Sequence, residues 1–208
     1  MSKMSFFKNN SYEIMKLFIN QVGITIFSLV LYTAAGSIED EALGSKIRIA
    51  LSAFAVIFYF ALIYSAAWEF GARDKIRIDG GKMEKAPLSG LKMAMIANIP
   101  NFIFAFLATL FIGLYIVSET DALYSVFAVF NLIIRFFSAM FLGVIQGAFS
   151  FLETSDVESK QFLLYYFWQS VGFLVAPALT VFVTHFGYSL GLEDKRIFGF
   201  TSSSNKKK

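Results

Sequence analysis

Apolar residues fall into five long runs along the chain, separated by short polar stretches, over about 17–35, 49–68, 93–117, 123–152 and 162–192. A helix needs about 20 mostly apolar residues to cross roughly 30 Å of hydrocarbon, so each run is long enough to span. The pattern predicts an all-α, polytopic transmembrane bundle forming one domain over 1–200, with a disordered basic tail at 201–208. The fourth and fifth runs are about 30 residues each, or roughly 45 Å as helix. Such lengths call for tilting, kinking or interruption.

Composition sharpens this reading. Hydrophobic residues make up 57% of the 208 and charged residues only 16%, against about 25% charged in soluble domains. Too few polar side chains remain to cover a water-soluble surface. There is no cysteine, which excludes thiolate nucleophiles, disulfides and cysteine metal sites. Lysines precede the first run, as in a signal peptide, but that run exceeds the usual apolar core of about 7–15 residues and reads as an uncleaved span.

The polar connections carry the topological signal. Glu39-Asp40-Glu41 and Glu119-Thr120-Asp121 are acidic, whereas 71–92 carries Arg73, Lys75, Arg77, Lys82, Lys85 and Lys92 against three acids. The positive-inside rule then predicts a cytoplasmic 71–92 segment and, with Lys3, Lys8 and Lys16, a cytoplasmic amino terminus. Five full crossings would put Lys195, Arg196 and Lys206-Lys207-Lys208 outside and the acidic 153–160 connection inside, both with the wrong sign. A fourth run that is broken or re-entrant near Arg135 reverses both and is the favoured expectation.

Few residues in the runs bear chemistry. No aspartate or glutamate lies away from their ends, which removes the usual proton relay of coupled transporters. Arg135 is the deep cation, read either as an anion or headgroup contact inside the bundle or as a guanidinium reaching the interface at a break. Asn98 and Asn101 flank Pro100 on one helical face, suggesting a hinge, a polar contact or interhelical hydrogen bonds at a proline kink. Asn131, Gln146 and Gln169 read as interhelical polar contacts. Pro177 is expected to bend or break the fifth run. Glu69 beside Trp68 fits an interfacial carboxylate. His185 has neither metal-ligating partners nor a nucleophile at hand, so no catalytic, metal or cofactor site is expected.

The stretch Trp68 to Gly81 alternates charge and isoleucine before its double glycine, which predicts a short extended pair or a strand-like segment on the membrane surface. No Walker spacing accompanies the glycines. The bases would attract anionic lipid headgroups at about 1 kcal/mol each. The segment Trp68–Gly81, the run Ala97-Asn98-Ile99-Pro100-Asn101 and Gly187-Tyr188-Ser189-Leu190-Gly191 together resemble an uncharacterised family of small multi-pass proteins from anaerobic Gram-positive bacteria. That resemblance implies a bacterial plasma membrane and no particular activity.

The leading functional expectation is a non-enzymatic accessory or assembly subunit, acting on a membrane-protein partner or a second copy rather than on nucleic acid. The alternative is a small transport component that binds a substrate or lipid.

Overall fold

The computed structural model describes residues 3–153 and 160–195, and the expected tail at 201–208 lies outside them. Eight α-helices and one 3₁₀ turn account for the described elements, with no strand among them. They are α1 (Lys3–Asn9), α2 (Ser11–Gly36), α3 (Glu41–Asp79), α4 (Ser89–Ala97), α5 (Ile99–Ser118), α6 (Asp121–Phe137), α7 (Ala139–Ala148), the turn Ser150–Leu152, and α8 (Lys160–Leu192). The architecture is an all-α transmembrane bundle. By length and composition α2, α3, α5 and α8 can each cross a membrane, while α6 and α7 qualify only as a pair bent by 113°. Ile57, Leu132 and Phe182 are 69%, 72% and 67% exposed, an outward apolar belt that suits lipid rather than water.

Side-chain contacts fix which helix ends lie together. Lys16, early in α2, pairs with Glu69, late in α3, at 3.1 Å. The Trp68 indole donates to the Lys195 carbonyl just past α8 at 2.7 Å. The start of α2, the ends of α3 and α8, and α4 therefore form one end of the bundle, which carries most of the bases. At the opposite, acidic end, Tyr32 bonds to Gln146 late in α7, and Gly147 abuts Ile49 near the start of α3. Gly113 of α5 faces Phe167 near the start of α8. Thus α6 leaves the acidic end, the chain turns at Ser138, and α7 comes back to it. Four crossings and one re-entrant hairpin bring the end of α8 to the same end as α1, in line with the charge pattern.

A break inside an apolar bundle frees backbone groups that water cannot reach, and such a break survives only where protein bonds them. Here a hydroxyl of α2 bonds a freed carbonyl, and one of α3 pins the start of α7. Thr25 of α2 donates to the Phe137 carbonyl at 3.0 Å. Ser52 of α3 donates to the Met140 carbonyl at 2.6 Å and accepts from the Val144 amide at 3.1 Å. Gly143 lets α7 lie directly on α3, since a Cβ there would sit 2.5 Å from the Arg48 carbonyl. Ser52→Ala is expected to cost about 1 kcal/mol, because it removes a buried hydrogen bond that ties α7 to α3. Ser28→Ala should be nearly neutral, as the Ser28 hydroxyl is buried without a partner. Thermal unfolding of both variants in detergent checks the contrast.

Three expectations need correction. The segment from Arg73 to Asp79 is not strand-like: α3 runs unbroken to Asp79, held by the Lys75–Asp79 and Arg77–Asp74 pairs at helical spacing. Gly80-Gly81 ends that helix, with Gly81 in the left-handed region at φ 68° and the Lys82 amide bonded back to the Arg77 carbonyl. Pro100 does not kink a continuous third span. The chain breaks at Asn98, and Pro100 sits in the first turn of α5, where its missing N–H is one that the helix does not use. Of the bend or break expected at Pro177, the break is absent: α8 is continuous through it over its full 33 residues.

Candidate functional site

The re-entrant hairpin carries Arg135 in the last turn of α6. A helix that ends there exposes its negative dipole end, which favours a cation by roughly 0.3–1 kcal/mol. The guanidinium turns into the bundle toward α8. Its Nη2 donates to Gln169 Oε1 at 2.6 Å, and its carbon lies 5.4 Å from the Tyr166 ring centre. Gln169 is fully buried and stands nine residues into α8, roughly 14 Å from its start.

Magnitudes show what these contacts achieve. A central arginine costs about 2.5–3.5 kcal/mol on insertion scales. Stacking on an aromatic face returns roughly 0.5–2 kcal/mol, and a charge-assisted hydrogen bond about 1.5–3 kcal/mol. The side chain is therefore held without a carboxylate; none among the described residues forms an ion pair with it. Bonding capacity is left over. Arg135 Nε, Gln169 Nε2 and Asn131 Oδ1 are buried with no hydrogen bond of proper geometry, although Tyr165 lies alongside Gln169.

The other predicted positions lie elsewhere. Asn98 and Asn101 do meet, Asn101 Nδ2 donating to Asn98 Oδ1 at 3.2 Å. Asn98 Nδ2 in turn caps the Ala94 carbonyl at 2.9 Å. These bonds are local to the break between α4 and α5 and join no second span. Glu69 is exposed at the basic end on Lys16. His185 lies in α8 with Nδ1 buried and unbonded. Ser170, between Gln169 and Val171, gives its hydroxyl to the Tyr166 carbonyl of its own helix.

A second polar cluster escaped the sequence reading. Asp74, 8% exposed, accepts a hydrogen bond from the fully buried Tyr188 hydroxyl at 2.8 Å, and Ser89 of α4 reaches the same phenol. Arg77 pairs with the other Asp74 oxygen at 3.4 Å. Arg73 lies 3.9 Å from Glu13 and over the Phe70 ring. The cluster ties α3, α4 and α8 together where their backbones are closest. Tyr188→Phe should destabilise by about 2 kcal/mol, since it strands a buried carboxylate oxygen. Arg77→Gln should cost less, because Arg77 is itself exposed and reaches Asp74 only at 3.4 Å. Unfolding midpoints of the two variants test the difference.

No family model, curated protein or solved structure matches this chain. The functional reading therefore rests on the geometry.

Proposed function

We propose that the chain is a non-enzymatic, multi-pass protein of a bacterial plasma membrane, an accessory or assembly subunit that works through contacts at its basic end. In this reading the amino terminus and the 71–92 segment face the cytoplasm. The observation that carries it is the continuation of α3 for eleven residues beyond Trp68, to Asp79. That is roughly 16 Å of helix past the apolar run. Asp74–Tyr188 and Arg73–Glu13 brace its inner face, while Ile76, 72% exposed, and Arg77 point away from the bundle. Lys82 and Lys85 follow, both exposed. A rigid, charged stub with an apolar residue at its centre suits a protein partner, and its lysines suit anionic headgroups beneath it.

Cross-linking through amines in native membranes, followed by purification in mild detergent and mass spectrometry, tests this. Cross-links from Lys75, Lys82 or Lys85 to one recurrent partner, or to a second copy, are expected. Recovery of an isolated chain whose stub forms no cross-link would sink the reading. The re-entrant hairpin favours a second reading, a small transport component, because broken helices line substrate paths in many transporters. A co-purifying ATPase would favour that alternative.

A further inference from the structure

We propose that Arg135 and Gln169, with Asn131 at the rim, form a binding site for an oxyanion, a carboxylate or phosphate group, between α6 and α8. The inference goes beyond the accessory reading and does not depend on it. Arg135 brings a permanent charge whose hydrogen-bonded partner is a neutral amide. With Tyr166 against the guanidinium and Nη2 committed to Gln169, the donors left for a ligand are Arg135 Nε, which has no partner, and Gln169 Nε2, which has only the Tyr165 phenol beside it. Two N–H groups beside a planar cation match the fork that binds carboxylate and phosphate oxygens.

Asn131 stands one turn before Arg135 on the same face of α6, and its Oδ1 is also unbonded. Rotation of that amide about its last torsion would present a third donor, since amide orientation follows the bonds available. The position can be reached. Arg135 is only half-buried, and it is approached from the lipid-facing side of α6, where Leu132 and Phe136 are 72% and 52% exposed. α6 and α8 meet here through side chains, Phe127 edge-on to Tyr166 and Arg135 on Gln169. The helix end at Ser138 places a ligand beside the hairpin tip. Thr25 already bonds the freed Phe137 carbonyl and Ser52 pins α7, so the two donors are not needed to hold the turn.

The test uses the purified full chain in neutral maltoside detergent, with thermal unfolding followed by tryptophan fluorescence. Trp168 adjoins Gln169 and reports locally. Inorganic phosphate and acetate are titrated against chloride at constant ionic strength. In a parallel arm the chain is placed in phosphatidylcholine nanodiscs with and without phosphatidylglycerol. At about 100 times the dissociation constant the midpoint should rise by roughly 5 °C. The rise should vanish in Arg135→Gln, shrink in Gln169→Leu and partly survive in Arg135→Lys. A response to phosphate or acetate in detergent identifies a soluble ligand; one confined to phosphatidylglycerol identifies a lipid headgroup. If Arg135→Gln does not fold, the Gln169→Leu comparison decides. A wild-type midpoint indifferent to every anion and lipid, or an equal rise in the variants, overturns the proposal.

Discussion

Gly71→Ala and Gly191→Ala are each expected to destabilise the bundle by about 3 kcal/mol, whereas Gly23→Ala should leave it unchanged. A Cβ at Gly71 would lie 2.1 Å from the Tyr188 carbonyl oxygen, and one at Gly191 would lie 2.2 Å from that of Trp68. Both obstacles are backbone, so no side-chain rotation relieves them. α3 and α8 would have to separate, and overpacking of this kind costs about 1–3 kcal/mol even where a core adapts. Separation would also stretch the Asp74–Tyr188 hydrogen bond. Gly23 has nothing within 4 Å of such a Cβ. Thermal unfolding and size-exclusion profiles of the three variants would show the difference; tolerance of alanine at both Gly71 and Gly191 would mean that the two helices do not approach so closely.

The second large effect is all-or-none. Cysteines introduced by Thr120→Cys and Ser150→Cys should react with an impermeant thiol reagent from the same side of the membrane, and Glu84→Cys from the other. All three positions are exposed, and the chain has no native cysteine to confuse the signal. A reporter fused after Lys208 should read the same side as Glu84→Cys. The reason is geometric: α6 and α7 begin and end at the acidic end, so they add no crossing. If α6 and α7 together crossed the membrane, Ser150→Cys would label with Glu84→Cys and the tail would change sides.

Much of this architecture is legible in the amino-acid order. Five apolar runs and the sign of their connections suffice for the span pattern, and the mismatch around Glu153 and the terminal lysines already argued for an interrupted fourth run. The end of α3 was less legible. Lys75-Ile76-Arg77-Ile78-Asp79 fits a period of two over five residues, yet its charges also pair at helical spacing, and tertiary support from α8 and α2 decides for helix. The break at Asn98 was hidden because an asparagine closes it with its own side chain, while the nearby proline drew the attention. Gly187-x-x-x-Gly191 and Gly143-x-x-x-Gly147 are visible as close-packing patterns, but the surface each meets on α3 is not. Likewise the role of Thr25 depends on a carbonyl that only the bend at Ser138 sets free. Arg135 stood out on cost alone; Gln169 as its partner required the fold.

The union of α3 with α8 also bears on how the protein is made. The two helices are neighbours in space but far apart in order of synthesis, with a hairpin and two more helices emerging between them. Until α8 is inserted, the face of α3 around Gly71 lacks its partner, and the Asp74 carboxylate lacks the phenol that shelters it. The last span is therefore the one that closes the molecule. The chain must keep α3 waiting, or have it shielded by the insertion machinery, and α8 has to arrive parallel to a helix already in place rather than fold back on the one before it.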